Sequence, residues 1–168
     1  MDFFELIKSR HSVRSFDSRP VGEALIEKIL DAARLAPSAK NTQPWRFFVA
    51  LDKGAKEKVV KTMAAHNQWA MDAGAIIVVL ADMDYGHKKE TKNYLIDIGL
   101  CLENLLLAAE DVGLGACPCT NFQNELLDKE LGLPSNLNSI VVVAVGHKKG
   151  EPEIHEKKSV QEVVWPPQ

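Results

Sequence analysis

The chain has 168 residues, of which 46% are hydrophobic and 26% are charged. These values are typical of a water-soluble globular protein, and the length predicts a single domain over residues 1–168 with a core of ordinary size. The formal net charge of -3 gives no overall positive field, which argues against nucleic acid and anionic membrane surfaces as partners.

No apolar run approaches the ~20 residues that a membrane-spanning helix needs. The opening residues, MDFFELIKSR, carry acids early and lack an apolar stretch followed by a small-residue cleavage site, so no signal peptide is expected. The 3 cysteines, Cys101, Cys117 and Cys119, are few and odd in number, which fits a reducing compartment better than a disulfide scaffold. We therefore expect a cytoplasmic protein.

The first half of the chain alternates helical and strand patterns. Residues 2–9 place apolar side chains on one helical face, and residues 20–37 do so again between two bracketing prolines. The aromatic and β-branched segment 44–51 predicts a strand, and a helical pattern returns over 53–65.

The second half contains the most apolar segments. Residues 75–82 and 139–147 are continuous apolar runs, typical of strands buried on both faces. Residues 90–112 predict a long helix that is apolar around most of its circumference, which suits a core or a subunit interface. An extended segment over 113–122 and a short helix, NELLDKELGL, complete the pattern. Alternating strands and helices indicate an α/β or α+β fold with helices covering a central sheet.

Residues 10–16, RHSVRSF, bring two arginines, a histidine and two serines together directly after the first helix. Arginine presents a planar fork of donors that suits phosphate, and serine adds a neutral donor. Alternatively, the positive charges of the basic residues only balance the partial negative charge at the C-terminus of the helix. By itself, the cluster leaves an anion site and a solvated helix end both open.

A second polar cluster, APSAKNTQPW at 36–45, joins the proline-bracketed helix to the first predicted strand. Its polar side chains either satisfy backbone groups in a tight turn or hydrogen-bond a planar heterocycle that displays carbonyls and ring nitrogens. This cluster alone does not decide between the two.

Together and in this order, the clusters resemble the nitroreductase family of FMN-dependent oxidoreductases. The matching segments are RHSVR at 10–14, PSAKNTQPW at 37–45, GLGACPCTNF at 113–122 and KKSVQEVVW at 157–165. The resemblance implies an α+β fold in α/β/α layers, with a central, mostly antiparallel sheet flanked by helices. It also implies a homodimer with two FMN sites at the interface and a swapped C-terminal segment.

The resemblance assigns the first cluster to FMN. Arg10 and Ser12 stand at the family positions that hold the phosphate, with His11 beside the ribityl chain or the phosphate. Arg14 stands near the pyrimidine edge of the isoalloxazine, where a fixed cation stabilises the negative charge of the reduced ring.

Further flavin contacts are implied for two separate segments. Pro37, Ser38, Ala39 and Asn41 match family positions that reach the flavin from the other subunit. Asn67, in AAHNQWAMDAG, matches an asparagine that contacts the ring.

The segment CPCTNF is implied to pass across one face of the flavin. Pro118, Cys119, Thr120 and Asn121 form this passage, and a backbone N–H points at N5. Many relatives have Glu-Gly where this chain has Thr120-Asn121, so a backbone donor is kept and a carboxylate is lost. The C-x-C pair is too small for a tetrahedral zinc set and is not the C-x-x-C redox motif, so no metal is expected.

Near the C-terminus, Lys157 stands where relatives have a phosphate-binding arginine, and Lys158 offers a second cation beside it. Lysine keeps the charge but not the bidentate fork. The alternative is a solvated, charge-balanced stretch. Trp69 and Trp165 lie beside apolar residues and are expected in the core rather than against a flavin.

The implied function is hydride transfer from NADH or NADPH through flavin N5 to electron-poor acceptors, by a ping-pong mechanism. Nitroaromatics, quinones and activated alkenes are small-molecule acceptors of this kind. FMN does the redox chemistry, while the protein supplies orientation and charge. The alternatives are a flavin-binding redox sensor or storage module without NAD(P)H turnover, a specialised reductive dehalogenase-type enzyme, and an α/β protein in which every cluster is structural.

Overall fold

The computed structural model describes residues 2–84 and 92–166, and within these ranges five strands form one sheet. The strands are β1 (Phe16–Asp17), β2 (Trp45–Ala50), β3 (Ala75–Asp82), β4 (Gly115–Cys119) and β5 (Leu137–Lys148). The α-helices are α1 (Phe3–Ser9), α2 (Glu23–Arg34), α3 (Lys53–Val60), α4 (Tyr94–Asp111), α5 (Asn124–Leu131) and α6 (Val160–Val163). Two 3₁₀ segments, Ala39–Asn41 and Ala65–Asp72, precede β2 and β3.

The strand β5 joins the other strands into the sheet. It pairs with β3 over residues 137–145, with β4 over residues 142–146 and with β1 at residues 147–148. β2 pairs with the opposite side of β3, so the order β2-β3-β5-β4 puts β2 and β4 on opposite edges. Each of these pairings is antiparallel, which confirms the mostly antiparallel sheet.

Two layers of helices cover the sheet, and β3 shows why. All of its residues are buried, so both of its faces need partners. Ile77 and Val79 pack in a core with side chains of α2 and α4. Ile76 and Val78 pack in a second core with side chains of α3 and α5. The predicted α/β/α layers are confirmed.

Some predicted boundaries differ from the structure. The helix predicted over 53–65 ends at Val60, because Met63 leaves the helix to form an antiparallel bridge with Phe122. The short strand β1 was not predicted, since its two residues become a strand only by pairing with the distant end of β5. Among the described helices, none combines the length and apolarity required to cross a membrane.

Several large apolar side chains remain at the surface of the chain. α1 buries none of its residues and exposes Phe3 and Phe4, and α4 exposes Ile96 and Leu100. The other side of α4 lies in the core through residues such as Leu105. The long helix therefore has both a core face and an exposed apolar face.

Candidate functional site

Residues 12–13 run beside the outer edge of β4. Ser12 forms a parallel bridge with Ala116, and the N–H of Val13 donates to the Ala116 carbonyl oxygen across 3.1 Å. Gly115 permits this close approach, because a Cβ at that position would lie 2.7 Å from Val13 Cγ2 and 2.8 Å from Val13 Cβ. The backbone around Ser12 is thereby fixed relative to the sheet.

Arg10, Ser12 and Arg14 belong to the segment that runs beside β4, where Ser12 pairs with Ala116, the neighbour of Cys117. Arg10 and Arg14 are the arginine pair of this segment. Neither arginine forms an ion pair or a side-chain hydrogen bond with any residue that the structure describes. Two cations without a carboxylate partner favour an anion site over a simple helix end.

The environment of Cys117 is both buried and positively charged. Cys117 and Cys119 are 2% and 6% exposed and lie two residues apart on one face of β4. The Cys119 S–H donates to the Cys117 carbonyl oxygen across 3.9 Å, and the Cys117 S–H donates to the Pro118 carbonyl oxygen across 3.8 Å. The neighbouring Cys119 side chain and the positive charges of Arg14 and Arg10 lower the pKa of Cys117. Proximity to Cys117 and burial raise the pKa of Cys119.

A second short pairing places Asn67 near the turn that follows β4. The N–H of Ala64 donates to the carbonyl oxygen of Asn121 across 3.1 Å, next to the Met63–Phe122 bridge. The 3₁₀ segment that begins at Ala65 starts against this turn and carries Asn67, which is 8% exposed. Within residues 2–84 and 92–166, the side-chain amide of Asn67 has no hydrogen-bond partner.

The segment predicted to cross the flavin face lies at the end of β4. Pro118 is half-buried and Cys119 is buried and paired with Val142, the last pair of the strand. Thr120 and Asn121 follow with exposed side chains. The backbone of this turn and the amide of Asn67 therefore lie near one another, beyond the same end of β4.

Pro37, Ser38, Ala39 and Asn41 lie before β2, at the opposite edge of the sheet from β4. Three strand spacings of about 4.8 Å separate these edges. Ser38 is half-buried and the other three residues are exposed. Within one chain, the structure does not bring this segment to the arginine pair.

The turn that contains these residues has an unusual backbone. Three residues that are not glycine have positive φ: Lys40 at 53°, Asn41 at 56° and Gln43 at 47°. The hydroxyl of Ser38 accepts a hydrogen bond from the Gln43 N–H across 2.9 Å. The carboxylate of Asp97, a buried residue of α4, accepts one from the Ala39 N–H across 3.2 Å. The hydroxyl of Ser38 thus satisfies a backbone group in the turn, as one sequence interpretation required.

The C-terminal segment lies largely in solvent. Lys157 and Lys158 are exposed and form no ion pair with the described part of the chain. The prediction that Trp165 is a core residue is wrong: it is 88% exposed, because it follows α6, which buries none of its residues. Trp69 does pack in the core, against Phe16, with 6.1 Å between ring centroids.

Two supporting residues were missed by sequence reasoning. The sequence shows Gly115 only as part of the extended segment 113–122, although its lack of a side chain lets Val13 pack against β4. The prediction of an apolar helix over 90–112 gave no role to Asp97. An acid within the apolar sequence YLIDIGLCL indicates a buried carboxylate, and a buried carboxylate needs a specific partner. In the described residues, no group of three or more His, Cys, Asp or Glu side chains forms a metal site.

A mostly antiparallel sheet between two layers of helices defines this chain as an α+β protein with α/β/α layers. The particular family is shown by comparison with known proteins. The model of the nitroreductase family matches residues 7–147, and the chain belongs to that family. The resemblance found in the sequence is confirmed.

Relatives of known name agree with this assignment. A protein of Archaeoglobus fulgidus, named provisionally as an NADH dehydrogenase/NAD(P)H nitroreductase, is 35% identical over 90% of this chain and 88% of its own. The oxygen-insensitive NAD(P)H nitroreductase of Enterobacter cloacae is 27% identical over 90% of this chain and 91% of its own. A crystal structure of a nitroreductase family protein from Clostridium difficile 630 superposes with a TM-score of 0.87 at 29% identity, covering 100% of this chain and 99% of that one. The chain is an oxidoreductase of this family.

Proposed function

We propose that this chain is an FMN-dependent oxidoreductase that takes hydride from NADH or NADPH and delivers it to electron-poor small molecules. The observation that carries the proposal is the arginine pair, which flanks Ser12 in the segment beside β4. Neither arginine has a carboxylate partner among the described residues. Arginine without a protein anion at a fixed strand edge favours a phosphate-bearing ligand. The relatives named as NAD(P)H nitroreductases support the choice of reductant.

Residues 10–12, which run beside β4, fit the phosphate end of FMN. Arg10 and Ser12 hold the phosphate, with His11 beside it, and all three side chains are half-buried. Arg14 is exposed and would supply positive charge at the pyrimidine edge of the ring.

The ring end is held by the turn after β4 and by Asn67. The amide of Asn67 has no hydrogen-bond partner among the described residues, so it is available to the polar rim of an isoalloxazine, which has both donors and acceptors. The backbone from Pro118 to Asn121 would offer an N–H donor to the same ring. The exposed side chains of Thr120 and Asn121 leave this side accessible to substrates.

When bound, FMN accepts hydride from NAD(P)H and passes it to the acceptor, so the chain needs no side-chain nucleophile. The residues of the chain bind and orient the reactants. With FMN bound, Arg14 would supply a fixed positive charge at the pyrimidine side of the ring, and the backbone after β4 would supply a hydrogen-bond donor. Nitroaromatics, quinones and activated alkenes are the acceptor classes that this chemistry serves.

A second copy of the chain completes each site. Residues 37–41 lie at the far sheet edge, so they serve the flavin bound mainly by the partner. Large apolar side chains would be covered in such a dimer, including Phe4 on α1, which is 70% exposed, and Trp165, which is 88% exposed. The C-terminal segment is exchanged between copies and brings Lys157 and Lys158 toward the partner's phosphate. We also propose one FMN-binding domain over 1–168 and a cytoplasmic location, which suits the free cysteines of the chain.

The test is the visible absorbance of the purified protein before and after anaerobic addition of NADH or NADPH. We expect flavin bands that bleach on addition of one or both reductants. Bands that persist with both would favour the sensor or storage module, and a protein still colourless after incubation with FMN would contradict the proposal. Gel filtration is expected to show a dimer, and a monomer that retains FMN tightly would contradict the shared site.

A further inference from the structure

The turn before β2 contains a residue whose conformation is unfavourable unless other groups hold it. Gln43 has a φ of 47° and precedes Pro44, although a residue that is not glycine and precedes proline favours extended backbone. Side chains bind both of its backbone polar groups. The Gln43 N–H donates to the hydroxyl oxygen of Ser38 across 2.9 Å, and the Gln43 carbonyl oxygen accepts from Nη1 of Arg46 across 3.2 Å. The conformation of Gln43 therefore depends on Ser38 and Arg46.

The guanidinium of Arg46 is in turn fixed by a buried carboxylate. Its Nη2 lies 3.0 Å from Oδ2 of Asp82, the last residue of β3, and its Nη1 also donates to the Trp45 carbonyl oxygen across 2.8 Å. Oδ1 of Asp82 accepts from the side-chain amide of Asn136 across 2.9 Å. The Asp82 N–H donates to the Pro44 carbonyl oxygen across 2.7 Å. The Arg46–Asp82 pair thus connects the turn to the end of β3 and to the segment before β5.

The hydroxyl of Ser38 is positioned through the same contacts. A hydroxyl has one hydrogen to donate and lone pairs that accept. Because the Gln43 N–H occupies a lone pair of Ser38, the hydrogen of this hydroxyl remains available to a ligand. In the proposed function, Ser38 reaches the flavin bound mainly by the partner, and the carbonyl oxygens and ring nitrogens of a flavin accept such a hydrogen bond.

We infer that Arg46, held by Asp82, is a positioning residue of the flavin site: it fixes Gln43 and thereby orients the Ser38 hydroxyl toward the flavin bound mainly by the partner. The inference rests on the proposed function and adds a residue that acts through Ser38. Arginine suits this role because its planar fork directs one nitrogen to a carbonyl oxygen and another to a carboxylate. Lysine keeps the positive charge beside Asp82 but has a single nitrogen, so it cannot hold both groups in that geometry.

The first experiment compares FMN titrations of the full-length protein, Arg46→Lys and Arg34→Lys. Arg34 provides the matched control, since it also pairs with an aspartate, Asp31, on the exposed part of α2. We expect Arg46→Lys to weaken FMN binding about fivefold, the effect of losing about one hydrogen bond, and Arg34→Lys to leave it unchanged. Native FMN affinity in Arg46→Lys, with or without a loss of stability, would overturn the inference.

The second experiment tests whether Arg46 acts across the dimer. Mixed dimers of one Arg46→Lys chain and one Arg10→Ala chain are purified through a different affinity tag on each chain. One of their two sites combines a native Arg10 with the native turn of the other chain, so we expect one FMN per dimer to bind with the affinity of the unmodified protein. If the turn served the flavin of its own chain, both sites would carry a substitution, and no site of native affinity would appear. That result would overturn the inference.

Failure of the proposed function has a different signature, because the unmodified protein itself would then bind no FMN. If Arg46→Lys does not fold, Asp82→Asn is the second variant. It keeps the shape of the side chain and removes the charge that fixes Arg46, so FMN binding should again become weaker. Native FMN affinity in that variant would likewise overturn the inference.

Discussion

The two polar clusters of this chain are held in place by different means. Residues 12–13 are paired by their backbone to β4, with Gly115 packed against Val13. The turn at 37–43 is held by side chains, through Ser38 and the buried carboxylate of Asp97, and it contains left-handed residues. The proposed phosphate side of the site therefore depends on packing at a sheet edge. The segment offered to the second copy depends on individual hydrogen bonds.

The largest expected effect comes from disturbing the packed side at Gly115. Gly115→Ala places a Cβ 2.7 Å from Val13 Cγ2, and the stiff valine cannot rotate away, so we expect unfolding to become easier by about 3 kcal/mol. FMN affinity should fall as well, because residues 10–14 are pushed off β4. Chemical denaturation followed by tryptophan fluorescence measures the first effect, and FMN titration measures the second.

Gly54→Ala, in the exposed first turn of α3, is the matched control. Its new Cβ would lie 3.4 Å from an Asp52 carboxylate oxygen, an ordinary contact, so stability should be unchanged or rise slightly. Adding Val13→Ala to Gly115→Ala removes two of the three close contacts and should recover part of the loss. Equal stability of Gly115→Ala and the unmodified protein would show that residues 12–13 are not fixed by this packing.

The next largest effect separates binding from packing on the same side. Arg10→Ala is expected to weaken FMN binding by about 1.5–3 kcal/mol, the value of a charge-assisted hydrogen bond, while the free energy of unfolding stays nearly constant. Arg34→Ala removes a guanidinium that pairs with Asp31 on the exposed part of α2 and should leave FMN affinity unchanged. Unchanged FMN affinity in Arg10→Ala would remove that residue from the site.

The smallest effect tests the segment held by side chains. Asp97→Asn keeps the shape of the side chain but removes the charge that accepts the Ala39 N–H, so FMN affinity should fall by about 1 kcal/mol. The protein should remain a dimer by gel filtration, since the change affects the turn rather than the apolar surfaces. Asp31→Asn, on exposed α2, is the control. A result identical to the unmodified protein would mean that the turn at 37–43 keeps its conformation without Asp97.

The elements set by hydrophobic pattern were predictable from the sequence, and those set by distant pairing were not. AIIVVLAD is buried along its whole length and forms β3 over the predicted residues, because a continuous apolar run has no exposed face. β1 and the early end of α3 depend on partners far along the chain, namely β5 and Phe122. Periodicity within a short window carries no information about such partners.

The candidate site divides in the same way. Arg10, Ser12 and Arg14 are identifiable because their residue types suit phosphate. The role of Gly115 is not identifiable, because it comes from the register that sets β4 beside residues 12–13, which no local pattern contains.

The position of β5 in the chain has a consequence for biosynthesis. β5 pairs with β1, β3 and β4, yet it comes after all three in the sequence. While residues up to 136 are being translated, β2 and β3 can pair. β4 and residues 12–13 beside it have no strand yet that links them to the rest of the sheet. Contacts of such large sequence separation form late and slowly. The proposed FMN site would therefore be complete only after β5 has been translated, and chains released before that point should not retain FMN.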